Sequence, residues 1–225
     1  MHYPRIYSIH DHALTIEFSN VISEEAHQQV MQLKRAIEKN PFNGFIESVP
    51  AYSSLAIYFS PEVSSADVKT FIQAYEISKE KITVSGTYRQ IEIPVCYDLT
   101  FAIDLPDVMH ATGLDHESII RLHTATEFNV FMIGFLPGFA YMGTLPNELV
   151  VARKKTPSAK IPPGSVAIAG KQTGIYPSSS PGGWNVIGRT PIKMFDPENP
   201  PYSYLQAGDR VRFKSIPLSE YQAPQ

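Results

Sequence analysis

The chain has 225 residues, of which 43% are hydrophobic and 18% charged, with a formal net charge of −3. These proportions are typical of globular proteins and exclude a disordered chain. Because a nucleic-acid partner requires a basic face, the slightly acidic balance argues against one. No apolar run approaches the roughly 20 residues that span a bilayer, and the first residues lack the apolar core of a signal peptide. We therefore expect a cytoplasmic protein with no membrane partner.

Residues 1–85 carry a pattern of strands and helices in the order ββαββα. Apolar residues alternate with polar ones in the strands, and Ser23 can cap a helix whose apolar stripe ends near Asn40. With both helices on one face of the sheet, the pattern predicts a small α+β domain. The predicted elements are strands at residues 5–9, 13–18, 45–49 and 55–59, a helix between Ser23 and Asn40, and a helix from Ser64 or Ser65.

Residues 86–225 form the second predicted domain, after a polar linker near residues 78–88. Asp104 and Asp115 can each cap a short helix, and Gly113 can end the first one. Short strands separated by glycine and proline then indicate a barrel or a sandwich. Pro94 suggests an edge position for the first strand. The predicted strands cover residues 91–97, 129–135, 165–169, 184–187, 193–195 and 210–213.

Three features favour a structural interpretation over a chemical one. Arg153-Lys154-Lys155 is the densest basic cluster and is more typical of a solvated loop than of a phosphate site. Cys96 is the single cysteine; with no base beside it in the sequence, a small buried residue is favoured over a nucleophile. His10 and His12 have an i, i+2 spacing that can bind a metal ion, but no third ligand lies nearby in the sequence, so an exposed turn is favoured and no metal site is expected.

The segment from Gly164 to Lys171 superficially resembles a phosphate-binding loop. The true pattern has four residues between its glycines and Ser or Thr after the lysine, whereas this segment has five residues and Gln172. Prolines downstream also break the helix whose N-terminus would hold the phosphates. If ATP is used, we expect another chain to supply the main nucleotide site.

His123 lies on the same face of a predicted helix as Ile119 and Ile120, so it points towards packed structure. A hydrogen-bonded core histidine is one interpretation. The other is a general acid, a general base or a group that polarises a carbonyl, since histidine changes protonation state near neutral pH.

The glycine- and proline-rich stretch from residue 131 to 196 holds further candidates. Gln172, Thr173 and Arg189 could bind a carbonyl or a carboxylate, and Tyr176 and Trp184 could form a wall. Tight turns with aromatic packing are an equally good interpretation. We predict one cleft around these residues and His123, with His123 and Arg189 as catalytic groups and Gln172, Thr173, Tyr176 and Trp184 as substrate-binding groups.

The same stretch resembles the allophanate hydrolase subunit 1 family, also called the KipI family. The resemblance covers nearly the whole chain and is dense from about residue 90. One departure is Ser158, where the family often has arginine, which puts in doubt an anion-binding role at that turn. The resemblance rests on Ile133-Gly134-Phe135-x-Pro137-Gly138-Phe139-x-Tyr141, on residues 163–177, on Ser180-Pro181-Gly182-Gly183-Trp184 and on Ile187-Gly188-Arg189-Thr190-Pro191.

The resemblance implies an N-terminal α+β domain followed by a cyclophilin-like β-barrel. It also implies a subunit of an ATP-dependent 5-oxoprolinase that acts on a small molecule and is inactive alone. The expected partners are a KipA-like (allophanate hydrolase subunit 2-like) protein and a LamB/YcsF-type protein. Two other functions stay open: a KipI-like inhibitor of a sensor histidine kinase, and an allophanate hydrolase or urea carboxylase-type subunit.

Overall fold

A computed structural model of the chain describes residues 3–78 and 88–221. Contacts within the chain divide it into two compact units, one ending at Thr87 and the other beginning at Tyr88. The predicted linker near residues 78–88 lies almost entirely outside the described residues. Whether the units fold as independent domains stays a prediction.

The first unit is a four-stranded antiparallel sheet in the order β1-β2-β4-β3, with two helices. Ser23 caps the first helix as predicted, because its hydroxyl accepts a hydrogen bond from the N–H of Ala26 at 3.1 Å. Apolar residues of β2, β4 and both helices form one core. The elements are β1 Arg5–His10, β2 Ala13–Glu17, α1 Glu24–Lys39, β3 Phe45–Pro50, β4 Ser54–Phe59 and α2 Ser65–Ser78.

The second unit is built on a seven-stranded sheet in the order β12-β9-β10-β7-β6-β13-β5. Among the strands of residues 88–221, only β13 and β5 pair in parallel, and β8 and β11 form a separate pair. The strands are β5 Gln90–Val95, β6 Glu127–Ile133, β7 Ala140–Gly143, β8 Ser158–Ile161, β9 Ser165–Ala169, β10 Gln172–Ile175, β11 Ser180–Gly182, β12 Asn185–Arg189 and β13 Arg210–Ser215. The helices are α3 Leu105–Thr112, α4 His116–Ala125 and α5 Leu218–Tyr221, with a 3-10 turn at Asn147–Leu149.

The two edge strands of this sheet meet at one end. Cys96, directly after β5, and Arg189, the last residue of β12, exchange both backbone hydrogen bonds at 2.8 and 2.9 Å. This bridge closes the sheet into a barrel at that end, and Pro94 lies in the edge strand, as predicted. The predicted class, an α+β fold with a ββαββα unit followed by a β-barrel, is confirmed.

The predictions from the sequence were wrong or incomplete for several local elements of the second unit. Residues 193–195 form no strand; Phe195 makes only an isolated bridge to Ser203. The sequence does not predict strands β7, β8, β10 and β11, because each has only three or four residues and contains or adjoins glycines and prolines that are typical of loops. Asp104 precedes α3 as expected but makes no side-chain cap; its carboxylate binds Lys154 instead.

Gly188→Ala is expected to destabilise the second unit. A Cβ atom at Gly188 would lie 2.8 Å from Val95 and 3.0 Å from the carbonyl oxygen of Cys96, beside the closing bridge. We expect the free energy of unfolding to fall by about 1–3 kcal/mol in urea titrations. Gly183→Ala is the matched control, since its Cβ would meet no atom closer than 3.8 Å. Equal stability of the two variants would contradict the importance of this close approach.

Limited proteolysis tests the proposed domain division. Because polarity and pattern both change near residues 78–88, a protease at low concentration should cut there first and leave a stable C-terminal fragment. The fragment is identified by mass spectrometry. A first cut between residues 130 and 195 would contradict the assignment.

Candidate functional site

His123 lies at the centre of a buried hydrogen-bonded network in the second unit. Its side chain has no solvent exposure and stacks on Phe213, with ring centroids 4.4 Å apart. Its Nδ1 is 2.7 Å from the hydroxyl of Tyr97, and its Nε2 is 3.0 Å from the hydroxyl of Thr173. Thr173 is also fully buried, so three polar groups satisfy one another. They lie inside the main core of the second unit, the apolar cluster that includes Phe128, Met142, Ile168 and Phe213.

The backbone carbonyl at the end of this chain of hydrogen bonds determines which group donates in each of them. The Thr173 hydroxyl donates to the carbonyl oxygen of Ala167 at 3.3 Å, so its oxygen can accept the Nε2–H of His123. Nδ1 then accepts the hydrogen of Tyr97. Burial raises the pKa of Tyr97 well above its usual range, so this hydroxyl stays a donor.

Burial also lowers the pKa of His123, from 6.5 to about 3. The imidazole is therefore neutral near pH 7, and both of its nitrogens are engaged. This geometry favours the core interpretation of His123, because a general base needs a free nitrogen within reach of substrate. A catalytic function of His123 stays a prediction.

The alternation of side chains along a strand separates two candidates that are adjacent in sequence. Gln172 and Thr173 are consecutive in β10, so their side chains point to opposite faces of the sheet. Thr173 faces His123, and Gln172 faces away. Pairing with β9 places Gln172 opposite Ala169 and Arg189 opposite Ser165. Those partners are four residues apart, which is about 13 Å along a strand.

Arg189 has a structural position at the barrel closure. Besides the backbone bridge to Cys96, its guanidinium carbon lies 4.8 Å from the ring centroid of Phe101. Its Nε atom is buried and has no hydrogen-bond partner among the described residues. Cys96 is itself buried, which raises the pKa of its thiol and disfavours a thiolate nucleophile.

Tyr176 and Trp184 line a cavity on the face of the sheet that points away from His123. The cavity has a volume of about 260 Å³. Phe139 lies at the centre of its aromatic cluster, with ring centroids 4.8–5.6 Å from those of Tyr141, Tyr176 and Trp184. The lining residues are Phe135, Phe139, Tyr141, Arg153, Pro157, Tyr176, Pro181, Gly182, Gly183 and Trp184. We call this the aromatic pocket.

Two glycines allow the aromatic rings to approach the backbone. A Cβ atom at Gly174 would lie 2.9 Å from Phe139 and 3.1 Å from Trp184. At Gly182 it would lie 2.3 Å from the hydroxyl of Tyr176. The glycine-rich pattern of the sequence thus serves close packing under the aromatic pocket.

Phe135 lies at the rim of this pocket in an unusual conformation. Its φ is 67°, in the left-handed region that a bulky side chain rarely adopts, and 62% of the residue is exposed. Its ring contacts Phe139 edge-on, with centroids 5.6 Å apart. Backbone strain of this kind is concentrated at binding sites, which supports a functional interpretation of the pocket.

The structure therefore divides the six predicted site residues into separate groups. His123 and Thr173 meet in the main core, Tyr176 and Trp184 line the aromatic pocket, and Arg189 lies at the barrel closure. Gln172 points to the face opposite Thr173 and does not line the pocket. One shared cleft is not formed, because three of these residues lie in strands rather than in loops that display their side chains.

Sequence reasoning missed Arg153 as a pocket residue. It is exposed, and its guanidinium carbon lies 5.9 Å from the ring centroid of Trp184. Its neighbour Lys154 is not solvated as expected, since its ammonium binds Asp104 at 2.8 Å with both side chains largely buried. No local spacing connects residue 153 to residue 184, so only the tertiary structure could identify this pair.

Two kinds of feature are absent from the part of the chain that the structure describes. Within residues 3–78 and 88–221, no helix has the length and apolar character to cross a membrane. Over the same ranges, no three histidine, cysteine, aspartate or glutamate side chains are grouped to hold a metal ion.

Comparisons with known proteins extend over nearly the whole chain. Residues 4–205 match the family model described as carboxyltransferase domain, subdomain C and D. The chain is 37% identical to the 5-oxoprolinase B subunit of Bacillus subtilis (strain 168), over 97% of this chain and 95% of that protein. It is 32% identical to the 5-oxoprolinase B subunit of Escherichia coli O157:H7, over 96% of this chain and 97% of that protein.

The fold of the chain is also similar to that of a solved structure. The crystal structure of TTHA0988 superposes with a TM-score of 0.80 and 33% sequence identity. The match covers 94% of this chain but only 40% of that protein. This chain thus spans less than half the length of TTHA0988.

Because His123 is neutral in the folded protein, the free energy of unfolding depends on pH. Between the unfolded pKa near 6.5 and the folded pKa of about 3, the unfolded state binds a proton that the folded state excludes. The contribution of His123 to the free energy of unfolding is therefore complete above about pH 6.5. It falls as the pH is lowered, by up to about 1.4 kcal/mol per pH unit.

This dependence is measured by urea unfolding at a series of pH values. His123→Gln should lose this component of the slope, whereas His110→Gln, which replaces an exposed histidine, should keep it. An unchanged slope in His123→Gln would show that the folded protein tolerates a protonated imidazole at this position.

Proposed function

We propose that this chain, which belongs to the carboxyltransferase domain, subdomain C and D family, is a subunit of a 5-oxoprolinase. The proposed enzyme is ATP-dependent and converts 5-oxoproline to L-glutamate in the cytoplasm. The observation that carries this proposal is the match to the two named subunits, which extends over at least 95% of each relative. A match of that extent covers both compact units rather than one shared module.

The chain is proposed to act with partners rather than alone. The relatives are named as subunits, and TTHA0988 contains this fold within a chain more than twice as long. We propose a KipA-like protein and a LamB/YcsF-type protein as the partners. In support, the segment from Gly164 to Lys171 forms strand β9 and the turn into β10 rather than a loop before a helix, so the geometry that holds nucleotide phosphates is not formed there.

The chemistry of the substrate explains why such an enzyme would divide its work. A lactam is a poor electrophile, and transfer of the γ-phosphoryl group of ATP to its oxygen would make the ring carbon more reactive. Water then adds to that carbon, the C–N bond breaks to release the amine and leave an acyl phosphate, and a second water converts the acyl phosphate to the carboxylate and phosphate. We propose that partner chains carry the nucleotide and most of the chemical step, while this chain contributes to holding the substrate. Correct positioning of reacting groups can itself supply several kcal/mol of the required barrier reduction.

Reconstitution tests the proposal directly. The purified chain, its KipA-like and LamB/YcsF-type partners, ATP and 5-oxoproline are combined, and glutamate formation is measured. We expect steady turnover only when all chains are present. ATP-dependent cleavage by this chain alone, after rigorous purification, would contradict the assignment as a dependent subunit.

A deletion strain provides a test in the cell. Loss of the gene should cause 5-oxoproline to accumulate, and expression of the intact chain should reverse this. Normal 5-oxoproline levels would instead favour the regulatory function, in which the chain inhibits a sensor histidine kinase. A requirement for a biotin-linked carboxylase would favour the urea carboxylase-type function.

A further inference from the structure

We infer that the aromatic pocket binds a small cyclic carboxylate, and that Arg153 rather than Arg189 holds its carboxylate group. Under the proposed function this ligand is 5-oxoproline, so the identity of the ligand rests on that function. The inference depends on the size of the cavity, the charge of its lining and the position of Arg153.

The size of the aromatic pocket suits a compact ligand. Its volume of about 260 Å³ is below the range of roughly 300–1,000 Å³ that is typical of pockets for drug-sized molecules. Its walls are the rings of Phe139, Tyr141, Tyr176 and Trp184. Such walls bind a flat five-membered ring through apolar and stacking contacts, with no demand for an extended chain.

The charge of the lining selects an anion. Arg153 is the one charged residue among the residues that line the pocket, and no carboxylate lines it. In the part of the chain that the structure describes, the guanidinium makes no ion pair, and it lies against the Trp184 ring. Its donors are therefore available for a ligand carboxylate, which a guanidinium can bind through two parallel hydrogen bonds.

The charge of Arg153 is felt by the tyrosines inside the pocket. Burial raises the pKa of Tyr141 and of Tyr176, and the positive charge of Arg153 acts on both in the opposite direction; at Tyr176 the charge of Asp104 adds to the increase. Together with the position of Arg153 against the Trp184 ring, this places its charge where it would also attract a carboxylate in the pocket.

The backbone holds Arg153 opposite Trp184. Ala152 and Lys154, the residues before and after Arg153, are hydrogen-bonded to Asn185 and Gly183, which flank Trp184 in the sequence. Because the chain is held on both sides, the arginine is limited to the mouth of the pocket. Two hydrogen bonds make this connection: Asn185 Nδ2 to the Ala152 oxygen at 2.9 Å, and Lys154 N to the Gly183 oxygen at 2.8 Å.

A buried ion pair strengthens this attachment. The ammonium of Lys154 donates to Asp104 at 2.8 Å and to the hydroxyl of Ser158 at 2.6 Å. The same oxygen of Asp104 accepts the backbone N–H of Val186 at 2.8 Å. Lys154 is thus a positioning residue, and Ser158, where the family resemblance would often place arginine, serves this attachment.

The single tryptophan of the chain makes the pocket observable. Since Trp184 is the one tryptophan, fluorescence excited where tyrosine does not absorb reports on this pocket alone. We expect a saturable change when the isolated chain is titrated with 5-oxoproline. The lactam without a carboxylate, 2-pyrrolidinone, should bind at least 10-fold more weakly, because it lacks the charge-assisted hydrogen bonds.

Variants assign the carboxylate to Arg153. Arg153→Ala should weaken 5-oxoproline binding about 10- to 100-fold and leave 2-pyrrolidinone binding unchanged. Arg153→Lys should be intermediate, since it keeps the charge but loses the paired geometry. Lys155→Ala is the matched control, because it removes an exposed cation two residues away that does not line the pocket.

The reconstituted enzyme gives an independent readout. Arg153→Ala should raise the KM for 5-oxoproline at least 10-fold, whereas Lys155→Ala should leave it unchanged. If Arg153→Ala changes neither the fluorescence titration nor KM, the inference is overturned while the proposed function stands. If the wild-type assembly turns over no 5-oxoproline, the proposed function fails instead; carboxylate-dependent binding of 5-oxoproline to the isolated chain would still support the pocket.

A partner protein is the alternative occupant. If Arg153→Ala and Trp184→Leu weaken assembly of the subunits, and KM is unchanged at saturating partner concentration, the pocket binds a segment of a partner chain. That outcome would overturn the inference. Analytical ultracentrifugation of the assembled variants measures this effect directly.

Discussion

The backbone bridge between Cys96 and Arg189 is the constraint on which the second unit depends. It joins the two edges of a seven-stranded sheet, so backbone N–H and C=O groups that would otherwise need water as a hydrogen-bond partner are paired within the protein at that end. A sheet closed in this way has one face turned to the main core and one turned outward. Successive residues of β9 therefore belong to different clusters: Val166 and Ile168 pack in the main core, and Ala167 and Ala169 pack beside the aromatic rings.

The core face tolerates the side chains of Tyr97, His123 and Thr173 because their polar groups are partners of one another. Tyr97, His123 and Thr173 form a chain of hydrogen bonds that ends at a backbone carbonyl, in a region where an unpaired polar group would cost about 1–3 kcal/mol. Such a network fixes the position of α4 against the sheet and keeps the imidazole neutral. Histidine at this position is explained by packing and hydrogen bonding, without reference to substrate.

The outward face carries the features of a binding site. Glycines at positions 174 and 182 let aromatic rings lie against the backbone, and the strained Phe135 stands at the rim. The cation at the mouth comes from a loop that is held by backbone hydrogen bonds and by the Lys154–Asp104 ion pair. Rigid elements thus support the residues that would contact a ligand, as a preorganised site requires.

Local signals in the sequence are enough to establish the ββαββα order, the class of the second unit, most helix and strand positions and the family. These signals are period-two alternation, helix caps and linked motifs, which any single sequence displays. They also place Tyr176 and Trp184 together as a wall. The pairing of distant residues, by contrast, emerges only in the folded chain: Thr173 with His123, and Arg153 with Trp184. Strand register and barrel closure set these pairs, and neither leaves a local trace, because register depends on how strands far apart in sequence align.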